Sequence, residues 1–392
     1  MRDDICTAID IGSSKISCVI FKINSNSKKP EILGVATKYS EGIRGGVIEN
    51  ITEATASISS AVYEAEKQAS IVVKKVVAAI SHPFINSKIV ITDSKFAGRQ
   101  ILSKDLKDIS KKILCSANQA KQTILHSSLI SYDVDRLRDI IDPEYMFANN
   151  LRSYYNIITA PKSYLDLVKQ CLRDLHLIPN FFIASSYASS LALDPKNMEE
   201  YVLIDVGGGA LNIASLRNSN SILWASSVPL GGKNITGDIS ECFAIPYEEA
   251  EKLKILYGKL TTNGSDNSVF TNETVSKTGI NLPVLNKIIS ARIEEMIEIA
   301  WARIPEEYRK KNIILSGGVA KTSGIADFIA KKVNTQTDVI VHSSPSSCFD
   351  EKQRFDPAFS TIIGLINYHV KETTKKKPFS VKKALEWMWE NF

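Results

Sequence analysis

Two short stretches hold the residue types that bind phosphate and metal. Ile9-Asp10-Ile11-Gly12-Ser13-Ser14 and Ile204-Asp205-Val206-Gly207-Gly208-Gly209 each end an apolar run with an aspartate and continue in glycine or serine. Without bulky side chains, successive backbone N–H groups form a concave nest that accepts phosphate oxygens. An aspartate at the strand end, Asp10 or Asp205, suits a hydrated Mg²⁺, an ion that keeps several waters and takes only one or two carboxylates. Lys15 adds a point charge toward the phosphates. One such turn alone is ordinary hairpin chemistry. Two of the same design, about 195 residues apart and each followed by a returning apolar run, point to a nucleotide clamped between two domains.

A third stretch fits the same ligand. Ile313-Ile314-Leu315-Ser316-Gly317-Gly318-Val319-Ala320 reads as a strand that ends in paired glycines and opens a helix. Gly317 and Gly318 let the backbone approach a flat adenine closely, and Glu251 on a helix over 248–258 can bond ribose hydroxyls. Gly231-Gly232 reads as a close backbone approach or a hinge. The G-x-G-x-x-G fingerprint of a dinucleotide-binding βαβ unit is absent, and so is a P-loop. The five histidines show no metal or triad spacing, and the six cysteines show no close pairing, which fits reduced thiols.

These residues need elements to hold them. Residues 5–9 and 16–23 read as strands around the turn 10–15, and 31–37 as a third strand. A helix follows over 51–69 with Thr52 as its N-cap, and then a buried strand over 72–80. Between 81 and 160 the texture changes. Strand-like pieces at 88–92 and 156–160 bracket a lysine-studded helical stretch, 103–122, as in a small inserted α+β unit. The helix predicted over 163–175 puts Leu165, Val168, Leu172 and Leu175 on one face. The second half opens on another hairpin, 201–216, and continues with helices at 248–258 and 283–303, a strand at 312–315 and a helix near 324–333.

This order of phosphate hairpin, second phosphate hairpin and adenosine strand resembles the actin, sugar-kinase and heat-shock-chaperone ATPase superfamily. Within it the chain is most similar to the FtsA family of bacterial cell-division actin homologues, from about residue 5 to 368 and again at the C-terminal helix. The more specific marks are Ala188-Ser189-Ser190 ahead of the second hairpin, and the run from Val228 through Gly231-Gly232-Lys233-Asn234-Ile235-Thr236-Gly237-Asp238-Ile239. Glu248-Glu249-Ala250-Glu251-Lys252-Leu253-Lys254 with Gly258 matches as well. The resemblance implies an α/β, actin-like (ribonuclease H-like) duplicated two-domain fold with a nucleotide cleft. Residues 1–80 and 161–190 would form subdomain 1A, 81–160 the inserted subdomain 1C, 191–232 and 312–370 subdomain 2A, and 233–311 subdomain 2B.

The same resemblance implies ATP and Mg²⁺ in the cleft. Asp10, Gly12, Ser13, Ser14 and Lys15 would form the first phosphate loop, and Asp205, Gly207, Gly208 and Gly209 the second, with Asp10 and Asp205 at the metal. Glu251 would lie at the ribose, and Gly317 and Gly318 at adenine. It further implies self-assembly into filaments and tethering of the FtsZ ring through the FtsZ C-terminal tail. Recruitment of later divisome membrane proteins follows, at the cytoplasmic face of the inner membrane of the division site. Two departures bear on turnover. The superfamily often continues the second loop as Gly-Gly-Gly-Thr-x-Asp, where this chain has Ala210 and Asn212. The position of the water-orienting Gln or Glu of hydrolytic actins holds Ser185. Orienting or deprotonating an attacking water contributes roughly 10²–10⁴-fold, so nucleotide binding with weak or no hydrolysis is expected, and no catalytic residue is assigned.

The chain's last segment carries its own signal. Residues 371–379, with Lys375, Lys376 and Lys377, read as a basic linker, and 380–392 as an amphipathic helix. At 100° per residue Val381, Leu385, Met388, Trp389 and Phe392 share a face, with Lys382, Lys383, Glu386 and Glu390 opposite. Such a helix is too short to span a bilayer and suits its interface, where each basic residue near anionic lipid adds on the order of 1 kcal/mol. The composition is that of a globular protein of 392 residues, 44% hydrophobic and 23% charged. Its net charge of +5, from 48 Lys+Arg against 43 Asp+Glu, is too mild to point to nucleic acid. The acidic start, Met1-Arg2-Asp3-Asp4, lacks the basic and apolar regions of a secretory signal. Two alternatives share the superfamily. A type IV pilus actin-like assembly protein would lack the basic linker and terminal helix, and a metabolic kinase would need a carboxylate base aimed at a substrate hydroxyl.

Overall fold

The computed structural model describes residues 5–24, 29–117, 120–193, 199–217, 221–261, 279–333, 337–339 and 356–374. The first half holds β1 (Ile5–Ile11), β2 (Lys15–Ile23), β3 (Pro30–Tyr39), the short hairpin β4–β5 (Ile43–Arg44 and Val47–Ile48), α1 (Ile51–Ala69) and β6 (Lys75–Ile80). An inserted unit follows: β7 (Asn86–Gln100), α2 (Ser103–Ala117), β8 (Gln122–Val134), β9 (Leu137–Ile140) and β10 (Phe147–Pro161). The chain then returns through α3 (Lys162–Asp174), β11 (Ile178–Ala184) and α4 (Ser185–Leu191). The second half comprises β12 (Glu200–Val206), β13 (Leu211–Arg217), β14 (Ser221–Val228), α5 (Gly232–Phe243), α6 (Tyr247–Tyr257), α7 (Leu282–Arg303), β15 (Asn312–Ser316), α8 (Ile325–Val333), β16 (Thr337–Val339) and α9 (Ser360–Thr374).

Two five-stranded sheets are built to one plan. The first runs β3-β2-β1-β6-β11 and the second β14-β13-β12-β15-β16. In each, two antiparallel pairings lead to the central strand and two parallel pairings lead away from it. The central strands β1 and β12 are nearly continuous apolar runs because sheets covered on both faces offer no solvated side to alternate toward. Ile9, Ile11, Leu203 and Ile204 are fully or almost fully buried there. Apart from the inserted unit, the chain is a duplication, and the fold is actin-like.

The helices cover the sheets as their periodicity predicts. Helix α1 buries Ala54, Ile58, Ala61, Val62 and Ala65, and α3 buries Leu165, Val168 and Leu172 while Leu175 packs at its edge. The N-cap of α1 is Asn50, two residues earlier than expected, whose side chain accepts from Thr52 N–H and Glu53 N–H. A carboxamide at this position captures two of the helix's orphan donors, so Thr52 sits inside the first turn. The buried strand starts at Lys75 rather than at residue 72.

The inserted unit is more strand-rich than its sequence suggests. The pieces at 88–92 and 156–160 belong to 15-residue strands, and the helical stretch ends at Ala117, with β8 beginning at Gln122. The resulting antiparallel sheet runs β7-β10-β8-β9. It has its own core of Phe96, Ile109, Ile113, Tyr132, Leu151 and Tyr155, and it leans on the second half. Asn156 Nδ2 donates to Ile222 O (3.4 Å) and Arg217 Nη1 to Ile130 O (3.4 Å). Among the described residues no helix is long and apolar enough to cross a membrane. Residues 371–374, read from the sequence as the start of the basic linker, instead continue α9; the rest of that linker, to 379, and the segment with Val381, Leu385, Met388, Trp389 and Phe392, predicted as an amphipathic helix, lie outside the described residues.

Candidate functional site

The duplicated hairpins turn alike. Gly12 N–H donates to Lys15 O (3.2 Å) and Gly207 N–H to Ala210 O (2.9 Å), so each turn is closed by the same bond across three residues. Their tips meet where the two halves meet. A Cβ on Gly208 would lie 2.5 Å from Ser14 Cβ, and one on Gly209 would lie 2.5 Å from Ser13 Cβ. These glycines are required by the loop opposite. A phosphate seated between the tips requires the halves to part.

Asp10 and Asp205 end the central strands just before the turns, within electrostatic reach of each other and of Lys15. Burial and the neighbouring Asp205 carboxylate push the Asp10 carboxyl up to about 7, against the pull of Lys15. Burial also raises Asp205, to about 6, although Ser189, Lys15 and Thr361 favour its charged form. Ser189 Oγ donates to Asp205 Oδ2. Burial lowers the Lys15 ammonium, with Asp10 opposing. Lys15 Nζ donates to Ala358 O (2.6 Å) and lies 4.1 Å over the Phe359 ring, so it ties the first loop to the turn Pro357–Phe359 of the other half. The carboxylate oxygens of half-buried Asp10 and buried Asp205 are hard donors, few in number, and backbone-rich turns flank them. That set fits a hydrated Mg²⁺ and a polyphosphate.

The remaining candidates converge on the second loop. A Cβ on Gly231 would lie 2.6 Å from Gly207 O, and Gly232 N–H and Lys233 N–H donate to Gly207 O (2.9 Å) and Gly208 O (2.6 Å). The first turn of α5 is thereby pinned to that loop. Lys254 Nζ then bridges Gly232 O (3.0 Å), Thr236 Oγ1 (2.8 Å) and Glu251 Oε2 (2.6 Å), and Thr236 Oγ1 donates to the same carboxylate oxygen. Glu251 is thus oriented by Lys254 and Thr236 while 38% of its side chain stays exposed. Gly317, at φ 85°, would drive a Cβ into Val206 O and to 2.5 Å from Asp205 Oδ1. Only glycine fits that approach. Gly318 beside it opens onto free space.

The two departures are also placed. Ser185 is buried at the start of α4. Asn212 Nδ2 donates to Ser81 Oγ (3.1 Å) of the first half, and Asn212 Oδ1 accepts from Ser227 Oγ (2.9 Å). The amide at this position joins the two halves.

Three contributors went unread in the sequence: Lys254, the turn Pro357–Phe359, and the tip of β4–β5. Gly45 and Gly46 make that tip at φ 56° and 81°, the left-handed pair of a two-residue hairpin. Gly46 N–H donates to Ser13 Oγ (2.9 Å). The pair Gly45-Gly46, with Ile43 before it and Val47-Ile48 after it, is the signal the sequence offers for this turn.

Known proteins agree with this geometry. Residues 202–364 match the family model described as "Cell division protein FtsA". The chain is similar to the cell division protein FtsA of Rhizobium meliloti (strain 1021), 26% identical over 94% of this chain and 87% of that protein. Other curated relatives carry the same description. Among solved structures it is similar to the PilM-PilN type IV pilus biogenesis complex, with a TM-score of 0.61, 14% identity and 93% and 98% of the two chains covered. It is also similar to MreB 5 of Spiroplasma citri bound to AMPPNP, with a TM-score of 0.53, 11% identity and 96% and 98% covered. An actin-like duplication, paired aspartate–glycine hairpins and this agreement along nearly the whole chain make the protein similar to the FtsA cell-division proteins.

Proposed function

We propose that the cleft binds ATP with Mg²⁺, and that the protein assembles on the cytoplasmic face of the inner membrane, where it tethers the FtsZ ring and recruits later divisome proteins. The observation that carries the nucleotide reading is the meeting of two identically closed hairpins, each with an aspartate one residue before the end of its central strand, Asp205 buried and Asp10 half-buried. Asp10 and Asp205 would hold the metal. Ser13, Ser14, Lys15 and the turns at Gly12 and Gly207–Gly209 would hold the phosphates, with Glu251 at the ribose and Gly317-Gly318 at the base. The metal, when bound, neutralises phosphate charge. The chain's own residues position the ligand and exclude water around it. MreB 5 of Spiroplasma citri, on the same fold, is described with AMPPNP. Ser185, a serine where a water-orienting carboxylate or amide would be needed, keeps hydrolysis slow.

The subdomain division read from the sequence suits these roles. The inserted unit stands as a separate sheet with its own core, a surface for contact between copies in a filament. The subdomain around 233–311 would meet the FtsZ C-terminal tail, and residues 380–392 would lie in the lipid interface. Titration calorimetry of the full chain with ATP and Mg²⁺ should show saturable binding, while phosphate release stays far below that of dedicated ATPases. Absence of binding heat from the folded chain refutes the reading.

A further inference from the structure

The β4–β5 hairpin sits at the cleft with no role so far beyond bonding Ser13. It is wedged among four parts of the site. A Cβ on Gly45 would lie 3.1 Å from Pro229 Cβ of the second half, and a Cβ on Gly209 would lie 3.2 Å from Gly45 N. One on Gly46 would lie 2.8 Å from Ser81 O. The tip therefore touches the first loop, the second loop, the end of β6 and the residues leading into α5. Arg44, immediately before the tip, is exposed. Lys233 belongs to the wall opposite, and its own N–H is bonded to the second loop at Gly208 O.

Two cations thus stand on opposite halves at one seam. Among the described residues neither Arg44 nor Lys233 has a carboxylate within ion-pair distance. Of the acidic groups within electrostatic reach of Lys233, Glu251 is already bonded to Lys254 and Thr236, which leaves Glu41. Partial burial lowers the Lys233 ammonium, and Arg44 adds to that effect. Like charges facing across a seam repel, and an anion between them converts that repulsion into two attractions. Because the partners come from different halves, the same anion draws the halves together.

We propose that Arg44 and Lys233 form a two-sided clamp for the terminal phosphate of the bound nucleotide, by which the cleft distinguishes a nucleoside triphosphate from a diphosphate. The proposal rests on the nucleotide reading of the cleft and adds to it which residues sense phosphate number. An arginine on one wall supplies a planar fork of donors and a lysine on the other a mobile point charge. Both act on the group that a diphosphate lacks.

The test compares Mg²⁺–AMPPNP with Mg²⁺–ADP by calorimetry on the full chain, for the unaltered protein and for Arg44→Gln, Lys233→Gln and the double variant. Circular dichroism melts confirm that each variant folds. Each single change should weaken AMPPNP binding about tenfold or more, the effect of removing one charge-assisted hydrogen bond. ADP binding should stay within about twofold of the unaltered protein, and Arg44→Lys should recover part of the loss. If both nucleotides weaken equally, or if neither changes, the clamp is overturned while the nucleotide reading stands. If the unaltered chain binds neither nucleotide, the nucleotide reading fails and takes the clamp with it.

Discussion

Asp10 and Asp205 are carboxylates kept where charge is disfavoured. With Asp10 raised to about 7 and Asp205 to about 6, against 3.8 in an unfolded chain, the folded state binds more protons between those values. Stability contributed by these groups is therefore full below the unfolded value and falls as pH rises through the window from about 4 to 7. A divalent cation changes that balance by favouring the ionised carboxylates. Binding of Mg²⁺–nucleotide at about pH 6.5 should release protons, read as a dependence of the calorimetric heat on the buffer's ionisation enthalpy. Asp10→Asn should remove most of that release and weaken Mg²⁺-dependent binding; release of unchanged size would exclude Asp10 as its source. Both aspartates are legible in the sequence, since a carboxylate ending an apolar run before glycine is a local pattern. Arg44 is not, because nothing near it in the chain marks which wall it will face.

Helices and strands meet through glycine at two crossings. A Cβ on Gly364 of α9 would run into Ala188 O of α4, and one on Gly34 of β3 would run into Ala65 O of α1. At both, backbone blocks the added atom, so neither crossing can relax by turning a side chain. Gly364→Ala should cost about 2 kcal/mol or more, within or above the usual range for overpacking, as measured by urea denaturation. A loss below about 0.5 kcal/mol would show that α9 does not lie against α4 this closely. Element identity was readable where periodicity was strong, as in α1 and α3. It fell short in the inserted unit, where β7 lies at a sheet edge, leaves Ile89 and Ile91 exposed and is mostly polar on either side of that apolar run. The end of α2 was obscured by polar residues that suit a helix and the following turn equally.

At the scale of the whole molecule, α9 packs on the first sheet, with Ile362, Ile363 and Ile366 against Cys6, Ala8 and Phe21, and polar bonds join the halves near the cleft. Among these are the Asn212–Ser81, Lys15–Ala358 and Ser189–Asp205 bonds, with those from Asn156 to Ile222 O and from Arg217 to Ile130 O at the inserted sheet. The loop tips touch, so a triphosphate bound as proposed would strain or open this seam and couple its binding to the relative placement of the halves. Self-assembly that depends on this placement should respond to nucleotide. Electron microscopy on an anionic lipid monolayer should show ordered protofilaments with ATP, and deleting 380–392 should release the protein from the monolayer. Retention of the truncated chain on lipid would discard the terminal anchor.

The sequence by itself determined the duplicated hairpins, the helices with a clean apolar face and the resemblance to the FtsA cell-division proteins. Those features are written in neighbouring residues, and alternation, glycine and strand-end aspartate act within a few positions of each other. Only the tertiary structure decided the strand order of the two sheets, the pinning of α5 to the second loop and the gathering of Arg44, Lys254, Gly317 and Pro357–Phe359 around it. Those approaches join residues up to hundreds of positions apart. They are selected by which faces must be buried together, a property of the assembled core that no local pattern carries.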